Sequence, residues 1–239
     1  MKKNTRVASK GPSPRRSLLR ATVRWGLNEL YTRFAFAYDF VSAFVSRGEW
    51  RAWTRAAIPF VQGTRVLEIA HGTGNLHLDL YAAGITPIGI DLSPNMGALT
   101  QQKFRAEKKN APQLVRTRVQ ALPFPDAAFS ALVMTFPPGF VHDLGAMQEM
   151  WRVLEANGVL LWVDAPLLYP RDGWGRFLNW LFQFTGGCAN PETDEIKRLL
   201  HESHDGALER MFAWRVERVE ANNSAVHVFI GTKNENSSE

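Results

Sequence analysis

The sequence predicts a doubly wound α/β fold, and three stretches carry that expectation. In Arg65–Asn75 the apolar run Val66, Leu67 and Ile69 has the pattern of a strand buried on both faces, and two glycines at alternate positions, Gly72 and Gly74, follow at once. Ile88-Gly89-Ile90 reads as a second strand that ends in an acid, Asp91, 17 residues after Gly74. Phe129–Phe136 and Val159–Asp164 are further apolar strands with a helical stretch between them. Strand, glycine turn, helix is the nucleotide-binding opening of this fold. Glycine lets the backbone approach a ligand, and a helix N-terminus favours negative charge.

The 239 residues suffice for one large domain, or one domain with additions. With 45% hydrophobic and 21% charged residues the chain is ordinary for a soluble globular protein. No apolar run approaches the roughly 18 residues that span a bilayer. A single cysteine, Cys188, cannot form an internal disulfide and points to a reducing compartment, the cytoplasm. The basic N-terminus is not followed by an uninterrupted apolar stretch, so no secretory signal is expected. The net charge of +5 belongs to a tail, because residues 1–28 hold eight Lys and Arg and no acid, leaving 20 basic against 23 acidic residues elsewhere. Such a leader can touch anionic lipid, so peripheral membrane contact stands beside the simpler reading of a solvated tail broken by Gly11-Pro12-Ser13-Pro14. No aromatic residue is interleaved with these charges before Trp25, and no nucleic-acid partner is expected. Nothing in the sequence encodes an oligomeric state.

In order, residues 1–24 read as a basic flexible tail, 25–60 as an N-terminal helical cap, 61–233 as the main domain and 234–239 as a polar tail. The cap is aromatic, with Tyr31, Phe34, Phe36, Tyr38, Phe40 and Phe44 ahead of Trp50 and Trp53. Asn75 opens a short helix carrying Leu76, Leu78 and Leu80, and Gly84 stops it. Ser93 is a fitting N-cap and Pro94 a fitting first residue for a helix to about Lys109, whose basic end suits a C-terminus. Leu114–Gln120 reads as the third strand. Asp143 caps a helix through Glu155, closed by Asn157-Gly158. Trp174–Phe184 crowds aromatics around Arg176 and reads as core plus the wall of an apolar cavity. Pro191–His204 is a further helix. Trp214–Val219 and Val226–Ile230 alternate like two strands around Asn222-Asn223. The six histidines are scattered without metal-ligand spacing, so no metal site is expected.

Three nucleotide-binding readings compete for the glycine turn. A phosphate-cradling P-loop needs Lys then Ser or Thr after its last glycine, and Asn75-Leu76 stands there. A dinucleotide fingerprint needs a third small residue three positions after Gly74, and that position is the bulky His77. What remains is an S-adenosylmethionine pocket, whose ligand has no pyrophosphate. Leu67-Glu68-Ile69-Ala70-His71-Gly72-Thr73-Gly74 resembles motif I of the class I S-adenosylmethionine-dependent methyltransferases, Leu-Glu-Ile-Gly-x-Gly-Thr-Gly, with Ala70 in place of the first glycine. Gly89-Ile90-Asp91-Leu92-Ser93-Pro94-Asn95-Met96 is close to the second motif of that family. Gln120–Phe129 resembles the segment whose beginning contacts adenine, with Gln120 where Glu is common and Arg118 where Asp is often found. Met150–Gly158 resembles the Arg-Val-Leu turn, a scaffold feature. The likeness covers roughly residues 64–163.

The resemblance implies a Rossmann-like seven-stranded sheet completed by an antiparallel terminal hairpin, with helices folded over the cofactor cleft. It implies S-adenosyl-L-methionine as the cofactor. Its binding residues are then Tyr38, Glu68, Ala70, Gly72, Thr73, Gly74, Asp91, Leu92, Met96, Gln120 and Ala121, with Asp91 on the ribose hydroxyls and Leu92 and Met96 beside the adenine or ribose. Tyr31 and Tyr38 offer an aromatic face to the sulfonium. Pro137-Pro138 superficially resembles a nitrogen-methylating motif, but Phe136 before it has no side-chain acceptor and Gly139 replaces an aromatic, which argues against nucleic-acid N-methylation. If the acceptor must lose a proton, His142 is the first candidate base, with His71 and Asp164 behind it. The implied acceptor is a small apolar or aromatic molecule, a phenol or quinol by likeness to the quinone-biosynthesis C-methyltransferases. The alternative is a protein that binds S-adenosylmethionine without transferring its methyl group.

Overall fold

A computed structural model describes residues 46–137, 139–164, 166–169 and 207–234, with Gly173 and Arg176 singly. The basic tail, most of the expected helical cap with Tyr31 and Tyr38, the Trp174–Phe184 segment and the Pro191–His204 helix lie outside the described residues. Helix α1 (Trp50–Arg55) and a 3-10 turn (Ile58–Phe60) lead into β1 (Val66–Ile69), α2 (Asn75–Ala82), β2 (Ile88–Asp91), α3 (Pro94–Ala106), β3 (Gln113–Arg116) and β4 (Phe129–Thr135). A second 3-10 turn (Gly139–His142), α4 (Leu144–Val153), β5 (Leu154–Val163) and β6 (Leu167–Leu168) follow, then α5 (Ala207–Met211), β7 (Phe212–Glu220) and β8 (Ser224–Lys233).

The strands form one sheet in the order β3-β2-β1-β4-β5-β8, parallel from β3 to β5. β8 runs antiparallel to β5, and β7 pairs antiparallel with β8, so the terminal hairpin expected around Asn222-Asn223 is present. The sheet counts eight strands rather than seven. The addition is the two-residue β6, which also pairs antiparallel with β8, near the hairpin turn. The order reverses direction beside β1, which places the carboxyl ends of β1, β2 and β4 around a topological switch point, where such sheets bind ligands.

Side chains alternate across the sheet with period two. Leu67, Ile69, Leu132, Met134 and Leu160 pack with Met147, Met150 and Val153 of α4 on one face. Val66, Ala131, Val133 and Leu161 pack with Trp53 of α1 and with Leu76 and Leu80 of α2 on the other. The end of the N-terminal cap is tied down on that second face. Asp79 of α2 is buried and accepts from the guanidiniums of Arg51 and Arg55, the latter at 2.7 Å. The buried Glu49 carboxylate accepts from the Asn223 N–H at 2.9 Å and from the Ser224 hydroxyl, while Trp53 Nε1 donates to the same hydroxyl at 2.8 Å. A buried carboxylate is tolerable only with such donors around it. Among the described residues no helix is long and apolar enough to cross a membrane.

Three boundaries differ from the expectations, each for a local reason. The third strand stops at Arg116 instead of Gln120, because the Ala121 N–H donates to Arg118 O and Thr117 Oγ1 to Ala121 O, which turns the chain early. α3 stops at Ala106, and Lys108 then takes φ 53°. α4 ends at Val153, not Glu155; Leu154 already pairs with Phe129, and a register shift with Asn157 at φ 60° absorbs the extra residues before Val159 pairs with Ala131.

Candidate cofactor site

The turn after β1 places three alternate residues in the left-handed region: Ala70 at φ 55°, Gly72 at 55° and Gly74 at 78°. Glycine adopts this conformation freely and alanine does so at a cost of roughly 1 kcal/mol. The two glycines serve different needs. A Cβ on Gly74 would stand 2.4 Å from Thr100 of α3, which is fully buried, so Gly74 lets α3 approach the turn. A Cβ on Gly72 would meet nothing nearer than 3.9 Å, so this peptide is open to a ligand.

Asp91, at the end of β2, braces the turn. Its Oδ2 accepts from the Gly72 N–H at 2.9 Å, and its Oδ1 accepts from the Ser93 N–H at 2.8 Å. Each carboxylate oxygen keeps a second lone pair, so the group remains able to accept from a ligand hydroxyl. Ser93 caps α3 through Oγ, which accepts from the Met96 N–H, as the sequence predicts. Leu92, the residue after the acid, is 61% exposed, a large apolar side chain left uncovered at the edge of the cleft. A cavity of about 340 Å³ lies beside it, lined by His71, Asp91, Ser93, Leu114 and Arg116 among others.

Other predicted residues sit differently. Glu68 shares a face with Val66, so its side chain runs under α2 instead of toward the cleft. It is 2% exposed and accepts from His77 Nδ1 at 2.6 Å, with Phe104 edge-on to the His77 ring. Its part is to hold β1 against α2. Met96 is 1% exposed, buried in the first turn of α3. Thr73 is buried within the turn. Gln120 sends its amide to Asp143 Oδ2 at 2.7 Å, and both backbone groups of Ala121 are engaged in the local turn described above. His142 ends the 3-10 turn after β4; its side chain lies outside the described residues. Asp143 caps α4 by accepting from the Gly145 N–H at 2.9 Å, as expected.

Two features of the site escape sequence reading. Phe136, at the carboxyl end of β4, stands at φ 47°, an outlier for a bulky residue. Its ring lies 4.7 Å from Trp50 and 6.3 Å from Trp53, and its N–H donates to Val163 O at 2.9 Å. Packing and a ladder bond therefore hold a backbone conformation that costs about 1–3 kcal/mol. Arg152 is the second. It donates to Leu122 O at 3.0 Å, Phe124 O at 2.9 Å and Asp126 Oδ1 at 2.8 Å, while also pairing with Glu149. Glu149 in turn accepts from the Leu122 N–H at 2.9 Å. The expected scaffold residue thus clamps the loop that carries Gln120 and Ala121.

Arg152 beside it holds the Glu149 carboxyl below the usual range. The clamp is complete above the ordinary carboxylate pKa and is lost as pH falls through the depressed value. Arg152→Ala is expected to destabilise the fold by about 2–3 kcal/mol, since two carbonyls and two carboxylates lose their donor. It should also raise amide hydrogen exchange across residues 120–126; unchanged exchange there would remove the clamp.

Comparison with known proteins agrees with this geometry. A family profile described as a methyltransferase domain matches residues 66–158. The demethylmenaquinone methyltransferase of Thermus thermophilus is 31% identical over 168 residues, which cover 66% of this chain and 76% of that protein. The ubiquinone/menaquinone biosynthesis C-methyltransferase of Geotalea uraniireducens is 31% identical over 156 residues, 59% of this chain. The chain spans 65% of the length of that relative, just under two thirds, and the same share of the demethylmenaquinone methyltransferase of Symbiobacterium thermophilum. Among solved structures, an S-adenosylmethionine-dependent methyltransferase of Thermotoga maritima matches with TM-score 0.59 at 19% identity, over 86% of this chain and 99% of that one, a likeness of fold. With its glycine turn, its acid at the end of β2 and relatives of this kind, the chain belongs to the class I S-adenosylmethionine-dependent methyltransferases, in the branch of the quinone-biosynthesis enzymes.

Proposed function

We propose that the protein transfers a methyl group from S-adenosylmethionine to a small apolar or aromatic acceptor of the phenol or quinol kind. The observation that carries this reading is the open Gly72 peptide braced by Asp91. The residues present fit the cofactor: an uncrowded turn for the methionine part, a carboxylate with spare lone pairs for the ribose, and the exposed Leu92 as an apolar cover. When bound, S-adenosylmethionine supplies an electrophilic methyl on a good leaving group. The protein's share is then to hold donor and acceptor in line and to keep water out. Asp91 orients the ribose, and the turn from Ala70 to Gly74 sets how deep the methionine part sits. Phe136, at the carboxyl end of the strand next to β1, and the Trp50 ring tilted against it offer an apolar aromatic wall for an aromatic acceptor. The Thermus relative's name, a demethylmenaquinone methyltransferase, supports the same acceptor class.

His142 stays the first candidate for a general base, because the turn that carries it follows β4 at the same sheet edge. The basic leader is the proposed route to a membrane surface for a lipophilic acceptor. Calorimetric titration with S-adenosylmethionine, followed by an assay for S-adenosylhomocysteine over a panel of phenols and quinols, tests the reading. Binding with turnover on an aromatic acceptor is expected. Binding without turnover on any acceptor would leave a passive cofactor-binding protein, and absence of binding would overturn the cofactor itself.

A further inference from the structure

The turn carries an alanine where the family motif has glycine, yet Ala70 keeps the left-handed backbone, φ 55°. Something must hold it there, because the relaxed alternative for alanine lies elsewhere. The next residue is anchored on every side. The His71 N–H donates to Ile90 O at 3.1 Å, and its carbonyl accepts from the Gly74 N–H at 3.0 Å. Its ring is 6% exposed, and Nδ1 stands 2.9 Å from Gly72 O. A carbonyl only accepts, so Nδ1 carries the proton and donates. Thr100 Oγ1, fully buried on α3, lies 3.3 Å from both Gly72 O and His71 Nδ1 and 3.0 Å from Met96 O, so its one proton is shared between the two carbonyls. Asp91 takes the preceding peptide, 71–72, through the Gly72 N–H. The two peptide planes that flank Gly72 are therefore gripped, the first from β2 through the Gly72 N–H and the second from His71 and Thr100 through the Gly72 C=O.

We propose that His71 and Thr100 are positioning residues for the cofactor turn, a clamp on Gly72 that lets this chain keep an alanine at left-handed position 70. The clamp acts through the backbone that faces the ligand. It rests on the reading of this turn as the S-adenosylmethionine site. His71 also lines the cavity beside Asp91.

The test is a double-mutant cycle read as S-adenosylmethionine affinity by calorimetry, with the melting temperature of the ligand-free protein beside it. His71→Ala is expected to weaken binding by about 5- to 10-fold, the loss of one or two modest hydrogen bonds. His71→Asn, whose side-chain amide can donate to the same carbonyl, should stay within about twofold of the parent. Ala70→Gly should tighten binding more in the His71→Ala background than in the parent, since glycine needs no clamp to hold this φ. Thr100→Val keeps the buried shape without the hydroxyl and should weaken binding as His71→Ala does, which serves if His71→Ala fails to fold. A melting temperature lowered by these changes with affinity unaltered would assign the residues to packing alone and overturn the clamp. Equal gains from Ala70→Gly in both backgrounds would overturn the compensation. If the parent protein itself binds no S-adenosylmethionine, the reading of the site fails instead.

Discussion

Gly74→Ala is expected to destabilise the protein by about 2–4 kcal/mol and to abolish high-affinity cofactor binding. The magnitude has two sources. An L-residue at φ 78° costs roughly 1 kcal/mol or more in backbone energy. The new methyl would also stand 2.4 Å from Thr100 Cγ2 and 2.5 Å from its Oγ1, inside the contact distance of any real pair of atoms. Thr100 is fully buried, bonded to Met96 O, and cannot swing aside. α3 must therefore retreat from the turn, and with it Ser93 and the bond from the Ser93 N–H to Asp91. Urea denaturation would read the stability loss. A variant as stable as the parent would show that α3 is not packed against this turn. Gly72→Ala makes the control, because its Cβ meets only Ala70 O at 3.9 Å, an ordinary contact, and the backbone cost alone applies.

Asp91→Ala should weaken S-adenosylmethionine binding by about 1–3 kcal/mol, roughly 5- to 150-fold. Part of this is the loss of acceptors for the ribose. The rest is specific to the structure: Asp91 receives the N–H groups of both Gly72 and Ser93, so its removal leaves two loop donors unsatisfied at the ligand's edge. Asp91→Asn separates the two. Its single amide oxygen can satisfy one donor, while its NH2 faces the other donor unfavourably. A ribose-only role predicts that adenosine, which lacks the methionine part, loses affinity as much as the whole cofactor does. A role through Gly72 predicts a larger loss for the whole cofactor. Unchanged affinity in Asp91→Ala, measured by calorimetry, would take this residue out of the site.

The central fold was readable because its signals are local. Val66, Leu67 and Ile69 next to alternate glycines, and Ile88–Asp91 followed by Ser93-Pro94, each specify a strand end, a turn and a helix start within a few residues. β5 is equally visible as an apolar run, and β7 and β8 as alternating strands, while the two-residue β6 carries no such signal. Boundaries failed where side chains intervened: Thr117 turned β3 early, and Asn157 took a left-handed step inside β5 instead of closing a helix. Motif position also says nothing about which face the side chains of Glu68 and Met96 take. Strand periodicity sends Glu68 to His77 under α2, and the helical turn sends Met96 into the core.

By itself the sequence determined the sheet that would form, where its glycine turn would lie, and that an acid would stand at the end of the next strand. These follow from hydrophobic period, glycine spacing and capping residues, which act over a turn or a strand. Only the tertiary structure decided what those residues touch. Thr100 meets Gly74 from 26 positions along the chain, Arg152 reaches back to Leu122 and Phe124, and Trp50 folds onto Phe136. Each of these contacts is set by how helices pack on the sheet, and packing depends on every neighbour at once.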